Sequence, residues 1–251
     1  MMTKVKTSDE IQAMRESGAM LATVLTKLSH DIRAGMSTKD LAEIAKKELR
    51  SLGGQPTCLG YYGFPDVICI SVNDEVVHGI PRPSHIINDG DIVSLDFGVT
   101  YKGMITDSAR TVIVGKASPE AERLLLATER SLRAGIEVVR DGVKVGDIAA
   151  AVQSVLDAGK YGIVRDLVGH GVGHHFHEDP NIPNYGRKGT GMKLSAGMTI
   201  AIEPMATLGG YKISTDRDQW TIRTVDGSMA AHFEDTVLIT QNGAEVLTKL
   251  S

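Results

Sequence analysis

Hydrophobic residues recur at helical spacing along the first part of the chain and predict two helices. The first covers residues 8–30, with Ser8 as its N-cap. The second covers 37–52, where Ser37 and Asp40 match a capping box and a Gly-Gly pair follows the last turn. The apolar positions are Ile11, Met14, Leu21, Leu25 and Leu28 in the first helix, and Leu41, Ile44 and Leu52 in the second.

Runs that are rich in β-branched residues predict strands after these helices. The runs are 67–72, 91–99 and 105–114. Ser118 and Pro119 then begin a third helix that extends to about Val139, and a fourth covers about 146–158. The remaining sequence is expected to form mostly strands and turns.

Two stretches of sequence recur at the same offset of 107 residues. "GMSTKDLAEIAKKEL" resembles "GVKVGDIAAAVQSVL", and "GDIVSLDFGV" resembles "AGMTIAIEPM". The matched positions are Gly35 and Gly142, Gly90 and Gly197, and Asp96 and Glu203. Amphipathic helices can look alike by chance, but two matches at one offset favour a repeat. We therefore expect one domain over 1–251 that contains two copies of a unit, at approximately 8–115 and 118–245.

Composition limits the class of protein only broadly. Of 251 residues, 42% are hydrophobic and 23% are charged, and the net charge of −4 argues against nucleic acid as the main ligand. No apolar run approaches the roughly 18 residues that cross a membrane. The first residues also lack the apolar core of a secretory signal, which favours a cytoplasmic protein. Cys58 and Cys69 are then expected to be free thiols.

Acidic residues in apolar surroundings are the first sign of chemistry. With Tyr101-Lys102 as a hairpin turn, Asp96 stands opposite Asp107, with Cβ atoms about 4.5–5.5 Å apart. Two carboxylates at that distance repel unless a proton or a cation lies between them. The pair could equally be two solvated aspartates on an exposed hairpin face, so the hairpin alone does not decide.

Two further acids make a metal site the better interpretation. Glu203 and Glu234 each interrupt a hydrophobic strand, where a charge is costly unless it is paired or bound to metal. A salt bridge to a core arginine could explain one of them. His170 adds a nitrogen ligand between two glycines. Four carboxylates and one imidazole can hold two divalent ions, and this oxygen and nitrogen set suits Mn, Fe, Co or Zn.

Seven short motifs together resemble the methionine aminopeptidase family. They are His78 in "VVHGIP", Asp96 in "SLDFG", Asp107 in "ITDSAR", His170 in "GHGVG", His177 in "FHEDPNIP", Glu203 in "IEPM" and Glu234 in "FEDTV". The motifs follow the family's order over nearly the whole chain. The resemblance implies an α+β pita-bread fold, with two pseudosymmetric α/β halves around a dinuclear metal site in a single catalytic domain.

The resemblance also implies a role for each motif residue. Asp96 binds the second metal, His170 and Glu203 bind the first, and Asp107 and Glu234 bridge the two ions. Glu203 also accepts a proton from the attacking water. The resemblance makes His78 and His177 catalytic residues that contact the substrate and steady the tetrahedral intermediate. His174 and His175 match no motif and are expected to be ordinary polar or packing residues.

A methionine pocket is the remaining implication of the resemblance. Its counterparts here are Cys58, Tyr61, Phe64, Cys69, Phe176 and Trp220. Thiols and aromatic rings suit a polarizable thioether, although each residue could simply pack in the core. Phe64 stands where many relatives carry tyrosine, so this part of the pocket lacks a hydroxyl group.

The chain resembles the short bacterial type I enzymes of this family. Its expected substrates are nascent polypeptides and short peptides that begin with Met followed by a small residue. One alternative is a Xaa-Pro aminopeptidase or prolidase, and another is a non-catalytic binding module on the same fold. We expect a monomer in the cytoplasm without a membrane partner. Arg187 and Lys188 have two interpretations, a transient contact with the ribosome or simply a solvated loop.

Overall fold

The computed structural model describes residues 1–250 and contains four α-helices and fifteen β-strands in that range. The helices are α1 (Ser8–Asp31), α2 (Thr38–Leu52), α3 (Pro119–Glu137) and α4 (Val145–Ala158). The strands are β1 (Gln55–Pro56), β2 (Cys69–Val72), β3 (Glu75–Val77), β4 (Ile92–Tyr101), β5 (Met104–Ile113), β6 (Gly162–Ile163), β7 (Gly169–Gly171), β8 (Glu178–Ile182), β9 (Thr199–Ile202), β10 (Met205–Thr207), β11 (Ile213–Thr215), β12 (Ile222–Thr224), β13 (Ala230–His232), β14 (Glu234–Ile239) and β15 (Ala244–Val246). A 3₁₀ turn covers Tyr61–Gly63.

The predicted helices and strands are confirmed, each within two residues of its predicted bounds. Ser37 caps α2 and shares a capping box with Asp40, and Gly53 ends the helix at a φ of 85°. Ser118 caps α3, whose first residue is Pro119. None of the helices within residues 1–250 has the length and apolar character needed to cross a bilayer.

The predicted cap of α1 is wrong by one residue. The Thr7 side chain accepts a hydrogen bond from the Glu10 N–H, and the Glu10 carboxylate accepts one from the Thr7 N–H at 2.7 Å. A capping box needs Glu or Gln three residues after the cap, and Thr7 meets that condition whereas Ser8 is followed by Ile11.

A nine-stranded sheet forms the centre of the molecule. Its strands run in the order β1-β4-β5-β14-β9-β7-β8, with β2 also paired to β4 and β15 to β14. One apolar cluster packs α1 and α2 against β2 and β4, and another packs α3 and α4 against β9 and β14. Two three-stranded sheets, β13-β10-β6 and β11-β12-β3, complete the fold.

Backbone hydrogen bonds recur at the offset of 107 residues that the sequence repeat predicts. The Gly35 N–H donates to the Ile87 carbonyl at 2.8 Å, and the Gly142 N–H donates to the Leu194 carbonyl at 2.9 Å. The matched glycines all have left-handed φ angles, namely Gly35 at 90°, Gly142 at 82°, Gly90 at 90° and Gly197 at 87°. We infer that the segments near 8–115 and 118–245 are two copies of one unit within a single domain.

The register predicted for the β4–β5 hairpin is wrong. Lys102 and Gly103 form the turn, with φ angles of 48° and 78°. A two-residue hairpin turn whose twist matches the strands needs positive φ at both positions, which glycine adopts readily. Asp96 therefore stands opposite Ala109, and Asp107 stands opposite Gly98. The two aspartates still share a face of the sheet, but as diagonal neighbours, typically about 7–8 Å apart.

The cap assignment can be tested by comparing two adjacent hydroxyl residues. Thr7→Ala removes a side-chain acceptor from the first turn of α1 and should lower the free energy of unfolding by about 1 kcal/mol. Ser8→Ala is the matched control and should change it by less than about 0.5 kcal/mol. Equilibrium urea unfolding measures both changes, and an equal loss in the two variants would contradict the capping role of Thr7.

Candidate active site

Five neighbouring strands of the central sheet bring the predicted metal ligands together. Asp96 lies on β4, Asp107 on β5, Glu234 at the start of β14, Glu203 directly after β9 and His170 on β7. All five line one cavity of about 480 Å³. Asp107, His170 and Glu234 are buried, whereas Asp96 and Glu203 are half-buried. The sequence expectation that these residues converge therefore agrees with the structure.

Hydroxyl side chains fix the strands that carry two of these acids. The β5–β14 ladder pairs only Ala109 with Glu234 and Ser108 with Asp235. Beyond it, the Thr236 hydroxyl accepts a hydrogen bond from the Asp107 N–H at 2.9 Å and donates to the Asp107 carbonyl at 2.8 Å. The Ser108 hydroxyl donates to the Glu234 carbonyl at 2.7 Å. The backbones of Asp107 and Glu234 are therefore held directly against neighbouring strands.

His170 presents one particular ring nitrogen to the acids. Its Nδ1 lies 2.9 Å from the Gly171 carbonyl, which can only accept, so Nδ1 carries the proton. The Nε2 atom lies 3.4 Å from Glu203 Oε1 and 3.9 Å from Asp107 Oδ2. Burial lowers the pKa of His170 to about 3, so that its ring is neutral near pH 7 and Nε2 has a free lone pair.

Burial and mutual repulsion strongly raise the pKa values of the four acids. Burial raises the pKa of Asp96 to about 7. Burial, together with repulsion from neighbouring carboxylates, raises the pKa values of Asp107, Glu203 and Glu234 well above their ordinary range. Near neutral pH, the cluster must therefore hold protons or cations.

The donor atoms fit a divalent cation. One oxygen each of Asp107 and Glu234 is buried without a hydrogen-bond partner among residues 1–250. Ligand atoms of Asp107, His170 and Glu234 lie within 4.8 Å of one another. Two bonds of about 2.1 Å can span most of such a separation. Oxygen and imidazole donors suit first-row divalent ions.

His177 lies at the mouth of the cavity and has a defined hydrogen bond. Its Nδ1 atom is 2.8 Å from the Tyr61 hydroxyl, and its ring centroid is 4.3 Å from that of His170. A hydroxyl that donates to Nδ1 leaves the proton of the neutral ring on Nε2. His177 then has an Nε2–H donor available to a substrate.

His78 follows β3 with a left-handed φ of 59°, which is uncommon for a residue with a side chain. The next residue explains how the chain turns there. The Gly79 carbonyl accepts from the Ile70 N–H at 2.8 Å, and an added Cβ at Gly79 would lie 2.2 Å from the Ile70 oxygen. Burial lowers the pKa of His78 to about 4, so the ring is neutral near pH 7.

The predicted substrate-binding residues form an apolar cluster on the same cavity. It contains Cys58, Phe64, Cys69 and Phe176, with Tyr61 and Trp220 packed at its margin. The Tyr61 ring contacts Phe176 edge to face, and the Phe64 ring contacts Trp220 in the same way. Both cysteines are free thiols, as the sequence predicts. The cavity therefore joins a sulfur-lined apolar region to the acids.

His174 and His175, which lie just before His177 in the sequence, are outside this cavity wall. Among residues 1–250, the cavity lining includes neither His174 nor His175. His174 Nε2 lies 2.8 Å from the Glu10 carboxylate. The backbone N–H groups of both histidines donate to Glu178 Oε1 at 2.8 and 2.9 Å, and Lys6 Nζ lies 3.5 Å from Glu178 Oε2. These contacts fix the loop that leads to His177.

One histidine of the cavity wall was missed by sequence reasoning. His232 is buried, and its Nε2 lies 3.8 Å from Glu203 Oε2 and 3.7 Å from Glu234 Oε2. The signal was available, because residues two apart in extended chain point to the same side. His232 precedes Glu234 by two residues in an apolar run.

The fold and the buried acid cluster define a metal-dependent hydrolase, and comparison with known proteins gives its family. The model of metallopeptidase family M24 matches residues 12–241. The chain belongs to this family.

Within it, the chain is similar to bacterial methionine aminopeptidases. The enzyme from Clostridium perfringens is 46% identical over 244 residues, covering 97% of this chain and 98% of the relative. The structure of the Thermotoga maritima methionine aminopeptidase superposes with a TM-score of 0.97 at 42% identity, covering 99% and 100% of the two chains. The resemblance stated from the seven motifs is thereby confirmed.

A prolidase shares the fold but less of the sequence. The structure from Pyrococcus furiosus has a TM-score of 0.79 at 23% identity, and the match covers 98% of this chain but 66% of the prolidase. Such a likeness shows the fold alone. The pita-bread fold predicted from the resemblance is confirmed by these structural matches.

The raised carboxylate pKa values predict how metal removal changes stability. Above about pH 7, the unfolded chain has released its carboxyl protons and most of its histidine protons, whereas the metal-free cluster still holds some. The metal-free protein should therefore lose stability as pH rises from about 7 to 8.5. Bound cations replace those protons, so the loaded protein should lack this slope.

Melting temperatures of chelator-stripped and manganese-loaded protein, measured across that pH range, test the expectation. At a free ion concentration 100 times Kd, loading should add about 2.7 kcal/mol to the free energy of unfolding. Parallel pH slopes in the two forms would count against a cation among these acids.

Proposed function

We propose that the chain is a methionine aminopeptidase that removes the N-terminal Met from nascent polypeptides and short peptides, preferring a small second residue. The observation that carries this proposal is a single cavity in which an apolar region with two thiols adjoins four clustered acids. Sulfur and aromatic rings suit a methionine thioether. The names of the bacterial relatives support the same substrate.

The acids and His170 would hold two divalent ions, Fe, Mn, Co or Zn. By resemblance, His170 and Glu203 would hold one ion and Asp96 the other, and Asp107 and Glu234 would be shared between them. Such ions supply Lewis acidity at the scissile carbonyl and lower the pKa of water, so that a nucleophile is available near neutral pH.

Glu203 is suited to handle the proton of the attacking water. Its pKa is raised by burial and by the neighbouring aspartates, and its Oε1 atom faces His170. A carboxylate with a raised pKa both accepts and returns a proton efficiently near neutral pH. In this role, Glu203 passes the proton towards the amine that leaves.

His177 and His78 also line the cavity and would act on the substrate directly. The Nε2–H of His177 would donate to the carbonyl oxygen as negative charge develops there. Tyr61 holds this orientation through its hydrogen bond to Nδ1. His78 packs near Trp220, with ring centroids 6.5 Å apart, and would contact the substrate beside the pocket.

Selectivity for the N-terminus would follow from the donor and acceptor groups at the acidic end of the cavity. A free α-amine can donate hydrogen bonds to the carboxylates and offers a lone pair, whereas an internal peptide nitrogen has no available lone pair and continues into a chain. The apolar cluster of Cys58, Phe64, Cys69 and Phe176 then accepts the side chain of the first residue.

The alternatives have less support. A Xaa-Pro enzyme would need no thiol-lined pocket, and the prolidase likeness concerns the fold only. A non-catalytic module would need no complete set of converging ligands. We further propose a cytoplasmic monomer. Arg187 and Lys188 are both exposed, as a transient ribosome contact requires.

The substrate class can be tested with metal-stripped protein to which one divalent ion is restored at a time. Met-Ala-Ser should release free methionine, whereas a Xaa-Pro-containing tripeptide should not be cleaved. Release of free amino acid is measured by chromatography. Proline-selective release would move the chain to the first alternative, and no release from a folded, metal-loaded protein would favour the binding module.

Glu203→Gln is the matched variant for this assay because it keeps the shape of the side chain and removes its basicity. Loss of a general base typically lowers turnover about 10²-fold or more. The circular dichroism spectrum should be unchanged. Turnover at the level of the unmodified protein would refute the proton transfer assigned to Glu203.

The Tyr61–His177 hydrogen bond gives a separate prediction. Tyr61→Phe keeps the ring packing on Phe176 but removes the hydroxyl that fixes His177, and kcat/KM for Met-Ala-Ser should fall about tenfold. Tyr62→Phe is the control, because the neighbouring Tyr62 is 86% exposed. Equal kinetics in the two variants would show that the hydrogen bond does not orient His177.

A further inference from the structure

His232 lies in the wall of the cavity beside two of the proposed metal ligands and has no role in the scheme above. It is the last residue of β13, and its side chain is only 2% exposed. Its Nε2 atom lies 3.8 Å from Glu203 Oε2 and 3.7 Å from Glu234 Oε2. Both separations are longer than a hydrogen bond.

The imidazole of His232 is buried without a partner. Neither Nδ1 nor Nε2 has a hydrogen-bond partner among the described residues. Burying an unsatisfied polar group is costly, and protein interiors seldom retain one without a reason. A cation between Nε2 and the two carboxylates would satisfy this nitrogen.

The backbone that carries this ring is fixed by hydrogen bonds that need no ion. The Thr111 hydroxyl accepts from the His232 N–H at 2.9 Å and donates to the His232 carbonyl at 2.8 Å. On its other side, His232 pairs with Met205 of β10. The side chain therefore projects from a backbone fixed on two sides, as a ligand with low ordering cost requires.

Two groups of possible ligands share one carboxylate. Asp107, His170 and Glu234 form the first group, and Glu203, His232 and Glu234 form the second. In each group, the ligand atoms lie within 4.8 Å of one another. Each group contains two carboxylates and one imidazole. The two oxygens of Glu203 face different rings, with Oε1 towards His170 and Oε2 towards His232.

We propose that His232 is a sixth ligand of the metal centre, which binds through Nε2 on the side of Glu203 and Glu234. This inference rests on the metal dependence in the proposed function, but not on the substrate assigned there. A second neutral imidazole adds a nitrogen donor without adding charge. It shifts the preference of the site from Mn²⁺ towards Co²⁺, Fe²⁺ and Zn²⁺.

Proton NMR of the Co²⁺-loaded protein in water tests the proposal directly. Each imidazole bound to paramagnetic cobalt through Nε2 gives a strongly shifted, solvent-exchangeable Nδ1–H signal. Both candidate Nδ1 atoms are inside the protein, which slows exchange with solvent. The unmodified protein should show two such signals, and His232→Gln should show one. The control His30→Gln, at an exposed position, should retain two.

Metal affinity gives a second readout that does not depend on turnover. His232→Gln should weaken Co²⁺ binding at least about tenfold, as changes in the ligand environment do, and should weaken Mn²⁺ binding less. Equal weakening for the two ions would contradict a nitrogen ligand.

The outcomes separate this proposal from the proposed function. A single exchangeable signal in the Co²⁺-loaded unmodified protein would overturn the role of His232 and leave the metal centre intact. Failure of the folded protein to bind Co²⁺ would overturn the metal centre and this proposal together. Because the first result is read on the unmodified chain, it does not depend on whether the variant folds.

Discussion

Repulsion among four clustered carboxylates, two of them buried and two half-buried, is the constraint on which the rest of the structure depends. Asp96, Asp107, Glu203 and Glu234 share one cavity, and burial raises the pKa of each. Unlike a salt bridge, this arrangement gains little from the protein alone, since every member has the same charge. Its stability must come from bound protons or cations, and the affinity for cations is also what gives the site its chemistry. Stability and activity therefore depend on the same groups.

Two kinds of contact hold the strands that carry these acids, namely apolar packing behind the sheet and hydrogen bonds at the site. Apolar clusters behind the sheet join α1 and α2 to one half and α3 and α4 to the other. On the site itself, hydroxyl groups of Ser108, Thr111 and Thr236 bind backbone atoms of neighbouring strands. These bonds are uncharged, so they position the acids without neutralising them. The acids are thus held rigidly and left available to a ligand.

Much of this could be predicted from the sequence, because local rules determine it. Helix periods, caps and β-branched runs are properties of neighbouring residues, and the motifs identified the five ligand positions. The predicted hairpin register is wrong because the turn was placed at Tyr101-Lys102 and not at Lys102-Gly103. Only the second pair contains glycine, which readily adopts the positive φ that such a turn needs. His232 was missed although its spacing of two residues from Glu234 was a local sign that both side chains point the same way. Its proximity to Glu203 could not be predicted in this way, because that contact joins residues distant in sequence.

The placement of one ligand on each of five adjacent strands has a consequence for synthesis of the chain. Asp96 and Glu234 belong to β4 and β14, and the strand that separates them in the sheet is β5. A growing polypeptide emerges from its amino end, so Asp96 and Asp107 are made long before β14 can insert beside them. Until then, Glu234 is missing and the set of ligands is incomplete. The newly made protein therefore acquires its full ion-binding capacity only when its own translation is nearly complete. Its hydrolytic activity on other chains cannot begin earlier.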